Sequence, residues 1–222
     1  MGVITALEVQ KRNKERVNVY LDGEYAFSLT LIEAARLHKG QTLDPAEIEA
    51  LRDQDTIIKA VDQGARFLAH RPRSVTEVRR NLSRKQIPDA VVDVALSRLE
   101  AMGYLDDHAF ARYWLENRTM FKPRGAMALR YELRQKGVND AIIDSVLDDL
   151  DEHEAAIHAG RQKASRYSGL TRREFENKLG SFLQRRGFSY ATSRDVIEQI
   201  ASELVSENAN FFIESDEDEG YT

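Results

Sequence analysis

The chain has 222 residues, 42% of them hydrophobic and 31% charged, with a net charge of −5 at neutral pH and no cysteine. The lack of cysteine excludes disulfides, zinc–thiolate sites and thiol catalysis, and it fits a reducing cytoplasm. Charges interrupt every helix-sized apolar window, and Met1-Gly2-Val3-Ile4-Thr5 lacks a basic-then-apolar signal pattern, so a soluble cytoplasmic protein without membrane contact is expected.

The first thirty residues read as strands. Val3–Val9 and Arg16–Leu21 show β-favouring alternation, and Asp22-Gly23 leads into Glu24–Leu29. Asp-Gly between two such runs is a hairpin signal, because both turn positions need positive φ. A small antiparallel sheet of about three strands is expected, then a short helix from Leu31 to Leu37 with Gly40 just beyond it. Asp44-Pro45-Ala46-Glu47 combines an N-cap, a proline at the first helical position and a reciprocal glutamate, which starts a helix through Leu51.

From Asp55 onward the pattern is helical. Ile58, Val61, Ala65 and Leu68 share one face of a helix that stops at Arg71-Pro72. Ser74-Val75-Thr76-Glu77 and Thr171-Arg172-Arg173-Glu174 are capping boxes, and Gly103, Gly137 and Gly187 stand where helices should end. Asp106 is expected to cap the helix that follows Gly103, with Tyr104 and Leu105 filling the joint between repeats. The run Glu214-Ser215-Asp216-Glu217-Asp218-Glu219 reads as an acidic, disordered tail.

Self-similarity organises the rest. A shift of 51 residues lays Pro123-Arg124 on Pro72-Arg73, Leu129 on Val78, Leu133 on Leu82, Lys136 on Lys85, and Asp140-Ala141-Ile142-Ile143-Asp144 on Asp89-Ala90-Val91-Val92-Asp93. A further shift of 50 lays Leu179, Leu183, Arg186, Gly187 and Phe188 on Leu129, Leu133, Lys136, Gly137 and Val138. Each copy follows its own long helix, over Asp55–His70, Asp107–Phe121 and Glu152–Tyr167. The expected fold is therefore mainly α: three tandem three-helix repeats in an elongated, curved body, behind a small N-terminal module containing a β-hairpin. The boundaries read as 1–54 for that module, 55–106, 107–151 and 152–206 for the repeats, and 207–222 for the tail.

Arg71-Pro72-Arg73-Ser74, then Gly103-Tyr104-Leu105-Asp106-Asp107 with Phe110-Ala111-Arg112, then Lys122-Pro123-Arg124-Gly125 with Leu133-Arg134-Gln135-Lys136-Gly137-Val138, resemble the RecX family of bacterial regulators of the RecA recombinase. Tyr20-Leu21-Asp22-Gly23-Glu24-Tyr25-Ala26-Phe27 resembles the N-terminal extension of longer members, and the acidic tail has no counterpart in the resemblance. The resemblance implies tandem three-helix repeats and binding to the RecA–single-stranded DNA filament, within its helical groove. It further implies restraint of filament growth, ATP hydrolysis, strand exchange and co-protease activity in DNA repair, recombination and the SOS response. The alternative is a direct DNA-binding protein that uses helix-turn-helix-like repeats on single- or double-stranded DNA. A monomer without cofactor is expected.

The charge distribution is compatible with such a partner. From Arg66 to Lys136 there are 15 Lys+Arg against 8 Asp+Glu, a surplus of seven positive charges, so the remainder of the chain carries −12. A basic segment can follow a polyanion although the whole chain is acidic. The candidate contacts are Arg71, Arg73, Arg79, Arg80, Arg84 and Lys85 in the first repeat and Lys122, Arg124, Arg130, Arg134 and Lys136 in the second. The competing structural reading is a solvated helix face with local ion pairs, such as Glu77 with Arg80 or Arg84. Tyr113 and Trp114 could stack on bases, but core packing is the favoured role for Trp114 and Phe110.

No catalytic or metal residue is expected. His153 and His158 are five apart, not the four that would put two ligands on one helix face. The pairs Asp106-Asp107 and Asp148-Asp149 are adjacent and point in different directions on a helix. Neither a phosphate-cradling glycine loop nor a nucleophile elbow occurs in the chain.

Overall fold

The computed structural model describes residues 1–213, and the chain divides into two compact units, Met1–Leu105 and Asp106–Thr222. The acidic run from Glu214 onward lies outside the described residues.

Local sequence explains the sheet of the first unit. Strands β1 (Gly2–Val9), β2 (Arg16–Leu21), β3 (Glu24–Thr30) and β4 (Thr42–Leu43) form one antiparallel sheet in the order β3-β2-β1-β4. Asp22 and Gly23 turn β2 into β3 with φ of 50° and 93°, as the Asp-Gly signal predicts. The sheet has one strand more than expected. Its two residues pair with Gly2 and Val3 and are too few to show alternation in sequence. Val17, Val19, Leu21, Phe27 and Leu29 point into one core with Ile4 and Leu43. The helix α1 (Leu31–Ala34) is a single turn held by the Thr30–Glu33 capping box, shorter than the predicted Leu31–Leu37.

The helix α2 (Pro45–Leu68) corrects a second expectation. It starts at the Asp44–Glu47 capping box with Pro45 in the first turn, then continues for 24 residues where two helices, ending at Leu51 and starting at Asp55, were expected. Arg52-Asp53-Gln54 contains neither glycine nor proline, so its polarity marks a face and not a stop. Ile48 and Leu51 close the sheet core, whereas Ala60, Val61, Ala65 and Leu68 enter the next one. One helix thus serves both cores. Asp55, only 3% exposed, fixes the join: its carboxylate accepts from the Arg16 guanidinium and from the Ser28 amide at 3.2 Å, and lies 2.7 Å from Lys59 Nζ.

Helices α3 (Val75–Ser83) and α4 (Asp89–Ala101) complete the first repeat around Val78, Leu82, Val92, Leu96 and Leu99. Leu105 joins this core, while Tyr104 is 60% exposed and fills no joint, contrary to expectation. Tyr104 follows the left-handed Gly103 (φ 73°), and the chain turns its ring outward before Asp106 caps the next helix.

The second unit contains α5 (Asp107–Phe121), α6 (Ala126–Gln135), α7 (Asp140–Leu147), α8 (Glu152–Ala164), α9 (Arg172–Arg185) and α10 (Tyr190–Glu207), with a 3₁₀ turn over Ser165–Tyr167. The repeat register is exact in the core. Val78, Leu129 and Leu179 are all fully buried, as are Leu82, Leu133 and Leu183. Among the described residues no helix is long and apolar enough to cross a membrane.

The start of α6 departs from its counterparts. Ser74 and Thr171 cap α3 and α9 through their side chains, but Gly125 offers none. The reason is steric, since a Cβ on Gly125 would lie 2.1 Å from the Gly187 carbonyl oxygen. Gly125 N–H instead donates to Arg186 O at 3.0 Å. Glu152 supplies the missing cap from α8: Oε1 accepts from Ala126 N at 2.9 Å, and Oε2 accepts from Thr192 Oγ1 at 3.1 Å. That single carboxylate ties the second repeat to the third.

Candidate nucleic-acid interface

In the first unit the basic candidates lie along α3 and the Arg71-Pro72-Arg73 entry to it. Arg71 is already engaged, 3.0 Å from Glu77 Oε1, the glutamate that also closes the Ser74 capping box. The Arg73 guanidinium stacks over Phe67 at 4.0 Å from the ring centre, and its buried Nε has no hydrogen-bond partner. Burial foremost, and then the positive charge of Arg71, lower its pKa. Arg79 leaves the core side, as its position after Val78 requires, and meets Asp93 at 2.6 Å. Arg80, Arg84 and Lys85 are exposed at the end of α3.

The Arg79–Asp93 pair recurs one repeat later as Arg130–Asp144, joining α6 to α7 as the first joins α3 to α4. Arg134 makes a further link to Asp140 at 2.6 Å, which lowers the pKa of Asp140 and raises that of Arg134. These three arginines therefore also hold the helix pairs of their repeats. The local ion-pair reading holds for them, although with acids of the following helix. Lys122 stands exposed between α5 and α6.

The remaining second-repeat candidates, Arg124 and Lys136, meet around Glu132 and Trp114. Glu132 Oε2 accepts from Trp114 Nε1 at 2.8 Å and from Arg118 Nε at 2.7 Å, and Oε1 lies 3.5 Å from Arg124 Nε. The Arg118 guanidinium and the Lys136 ammonium lie over the Trp114 ring, 4.6 and 4.9 Å from its centre. Trp114 packs on the fully buried Phe110, 5.9 Å between ring centres, so the indole meets the core there while its N–H edge meets Glu132 and the cations lie over its ring. From the third repeat, Arg186 stacks on Phe182 at 4.8 Å and donates to Pro123 O at 3.1 Å. Burial, followed by the charge of Arg124, lowers its pKa.

Arg118, Glu132 and Arg186 were not among the sequence candidates. Arg118 had a readable signal, four residues beyond Trp114 on the same helix face. Arg186 had one too, lying on Lys136 in the repeat register. Glu132 had none, because an acidic residue inside a basic segment looks like ordinary charge balance. Among the described residues no cluster of His, Asp and Glu is placed to hold a metal ion.

Comparison with known proteins finds one family along most of the chain. The RecX N-terminal domain matches residues 2–44, and the first, second and third RecX three-helix domains match 60–99, 106–147 and 151–197. A regulatory protein RecX of Lactobacillus delbrueckii subsp. bulgaricus is 35% identical over 91% of this chain and 76% of its own length. Those of Bacillus pumilus and Clostridium botulinum are 33% and 32% identical, over 86% and 90% of this chain and 74% and 96% of theirs. A crystal structure of regulatory protein RecX superposes with a TM-score of 0.75 at 28% identity, covering 89% of this chain and all of that one. RecX from Lactobacillus salivarius shares the fold, with a TM-score of 0.59 at 24% identity over 68% of this chain and 97% of that one. With all four family domains in order along it, this chain belongs to the RecX family of regulatory proteins.

Proposed function

We propose that this protein binds the RecA–single-stranded DNA filament and restrains its assembly, ATPase, strand exchange and co-protease activities, acting as a binding protein and not as an enzyme. The observation that carries this reading is the recurrence of basic side chains at equivalent register positions of successive repeats, Arg124 on Arg73 and Lys136 on Lys85, in a chain of the RecX family. A filament offers repeated phosphates and carboxylates, which a guanidinium engages in bidentate fashion. Its place is in DNA repair and recombination.

The test is a titration of the single-stranded-DNA-dependent RecA ATPase. Wild type is expected to lower the rate. Charge reversal at the exposed Arg84, Lys85 and Lys122 should shift the effective concentration upward by about tenfold or more. An ATPase and filament length indifferent to the protein would overturn the reading. Sequence-preferring binding to naked duplex, stronger than binding to the filament, would replace it with direct DNA recognition.

A further inference from the structure

The second unit carries a groove of about 620 Å³ between the last turns of α5 and the first turns of α8. Among the described residues no arginine or lysine lines it. Its apolar floor is Leu115 and Met120 from α5, Ala155 from α8 and Leu150 from the link before α8. Leu150 packs on the cores of both the second and the third repeat, so the floor belongs to the joint between them. Met120 is 68% exposed, and a long thioether side chain there can adapt to an apolar visitor.

Four exposed carboxylates edge this floor, those of Glu116, Asp149, Asp151 and Glu154. Asp151 has a structural task, capping α8 by accepting from the Glu154 amide at 2.9 Å, and acids in that first turn complement the helix dipole. Glu116 has no such role, since it stands in the body of α5. Among the described residues none of the four is in an ion pair, and Arg161, which feels the field of Glu154, is held by Glu203 at 2.9 Å. Like charges around an apolar trough repel one another, and a cation that brings apolar surface with it relieves both the repulsion and the exposure.

We propose that this groove docks a cationic amphipathic helix of a partner protein, whose apolar side chains enter between α5 and α8 while its lysines or arginines meet the four carboxylates. The inference goes beyond the filament reading, which concerns the basic residues alone. Glu116 and Met120, one turn apart on α5, pair a carboxylate with an apolar group, which complements a lysine and a leucine one turn apart on a docked helix. Charge then selects among occupants. A nucleic acid, or the chain's own Glu214–Glu219 run, carries the sign of the rim and is repelled. A second copy of the chain fits less well: α6 places the exposed Met127 and Tyr131 beside Arg130 and Arg134, but both arginines are already paired, with Asp144 and Asp140.

The test uses the full chain and a synthetic helix of leucine and lysine with one apolar face. Amide shifts in the labelled protein should change at 115–120 and 149–158, and the peptide should bind in the micromolar range. The double substitution Glu116→Gln with Glu154→Gln should weaken binding about fivefold or more at low salt, with a smaller loss at high salt. Met120→Ser, at an exposed position, should weaken it about threefold by removing apolar contact. Both variants should keep the circular dichroism of wild type. Shifts centred elsewhere, or affinities that the two variants leave unchanged, overturn the proposal. So does equal binding by a peptide with glutamates for its lysines, or by one with serines for its leucines, since the site requires charge and apolar surface together. Concentration-dependent self-association that the same substitutions abolish would assign the groove to a second copy instead. The filament reading fails separately: a chain that binds the peptide but leaves the RecA ATPase untouched loses that reading alone, and one that lowers the ATPase but ignores the peptide loses only the groove.

Discussion

Gln86 closes α3 with φ of 61°, the left-handed conformation that the second and third repeats give to Gly137 and Gly187 at the same register. A side chain in that region costs about 1–2 kcal/mol, part of which glycine gives back through the larger entropy of its unfolded chain. Gln86→Gly is therefore expected to stabilise the first unit by about 0.5–1 kcal/mol, read as a shift in the urea midpoint by circular dichroism without a change in slope. A loss of stability would show that the glutamine side chain makes up for its backbone strain. Gly187 is the contrasting case, since a Cβ there would meet Ala128 at 2.5 Å as well as a φ of 83°. The same register position is thus a conformational choice in one repeat and a packing requirement in another. The glycines at 137 and 187 were readable as helix ends. The packing of Gly125 against Gly187 was not, because it joins residues 62 positions apart, outside any local pattern.

At the level of elements, what the sequence made legible was whatever local chemistry decides. Three capping boxes, the Asp-Gly turn and the register of buried leucines all follow from residues within a turn or two of one another. The continuity of α2 is not legible locally because Arg52-Asp53-Gln54 has the polarity of a boundary, and the polar residue that matters there, Asp55, is satisfied by Arg16 from a strand 39 positions away. The buried pair also gives the element-scale prediction. Asp55→Ala leaves the 6%-exposed Arg16 without its principal carboxylate, so the first unit should lose about 3–5 kcal/mol. Lys59→Ala removes the half-exposed member of the same network and should cost under about 1 kcal/mol. Equal effects from the two substitutions, measured by chemical unfolding, would mean that Lys59 and not Arg16 neutralises Asp55. The candidate site divides in the same way. Its cations were visible in sequence, but their grouping was not: Arg79, Arg130 and Arg134 reach acids on the next helix, while Arg124 joins Arg118 at Glu132 and Lys136 lies over the Trp114 ring.

For the molecule as a whole, electrostatics sets two opposed tendencies on one chain. The segment from Arg66 to Lys136 has a surplus of seven positive charges, yet the total is −5. Residues Glu214–Thr222 contribute five of the acidic groups and no basic one, so a chain ending at Ile213 would have a net charge of zero. The long-range field that a polyanion meets on approach depends on this total, whereas the contacts it finally makes depend on the basic segment alone. Removing Glu214–Thr222 should therefore raise affinity for oligothymidylate by about threefold or more at low salt, mainly through faster association, with the gain vanishing near physiological ionic strength. Unchanged affinity at low salt would mean that the acidic run contributes nothing to the field at the binding surface. A gain that persists at high salt would point instead to direct competition by the run for the basic side chains, since contact pairs are screened far less than distant charges.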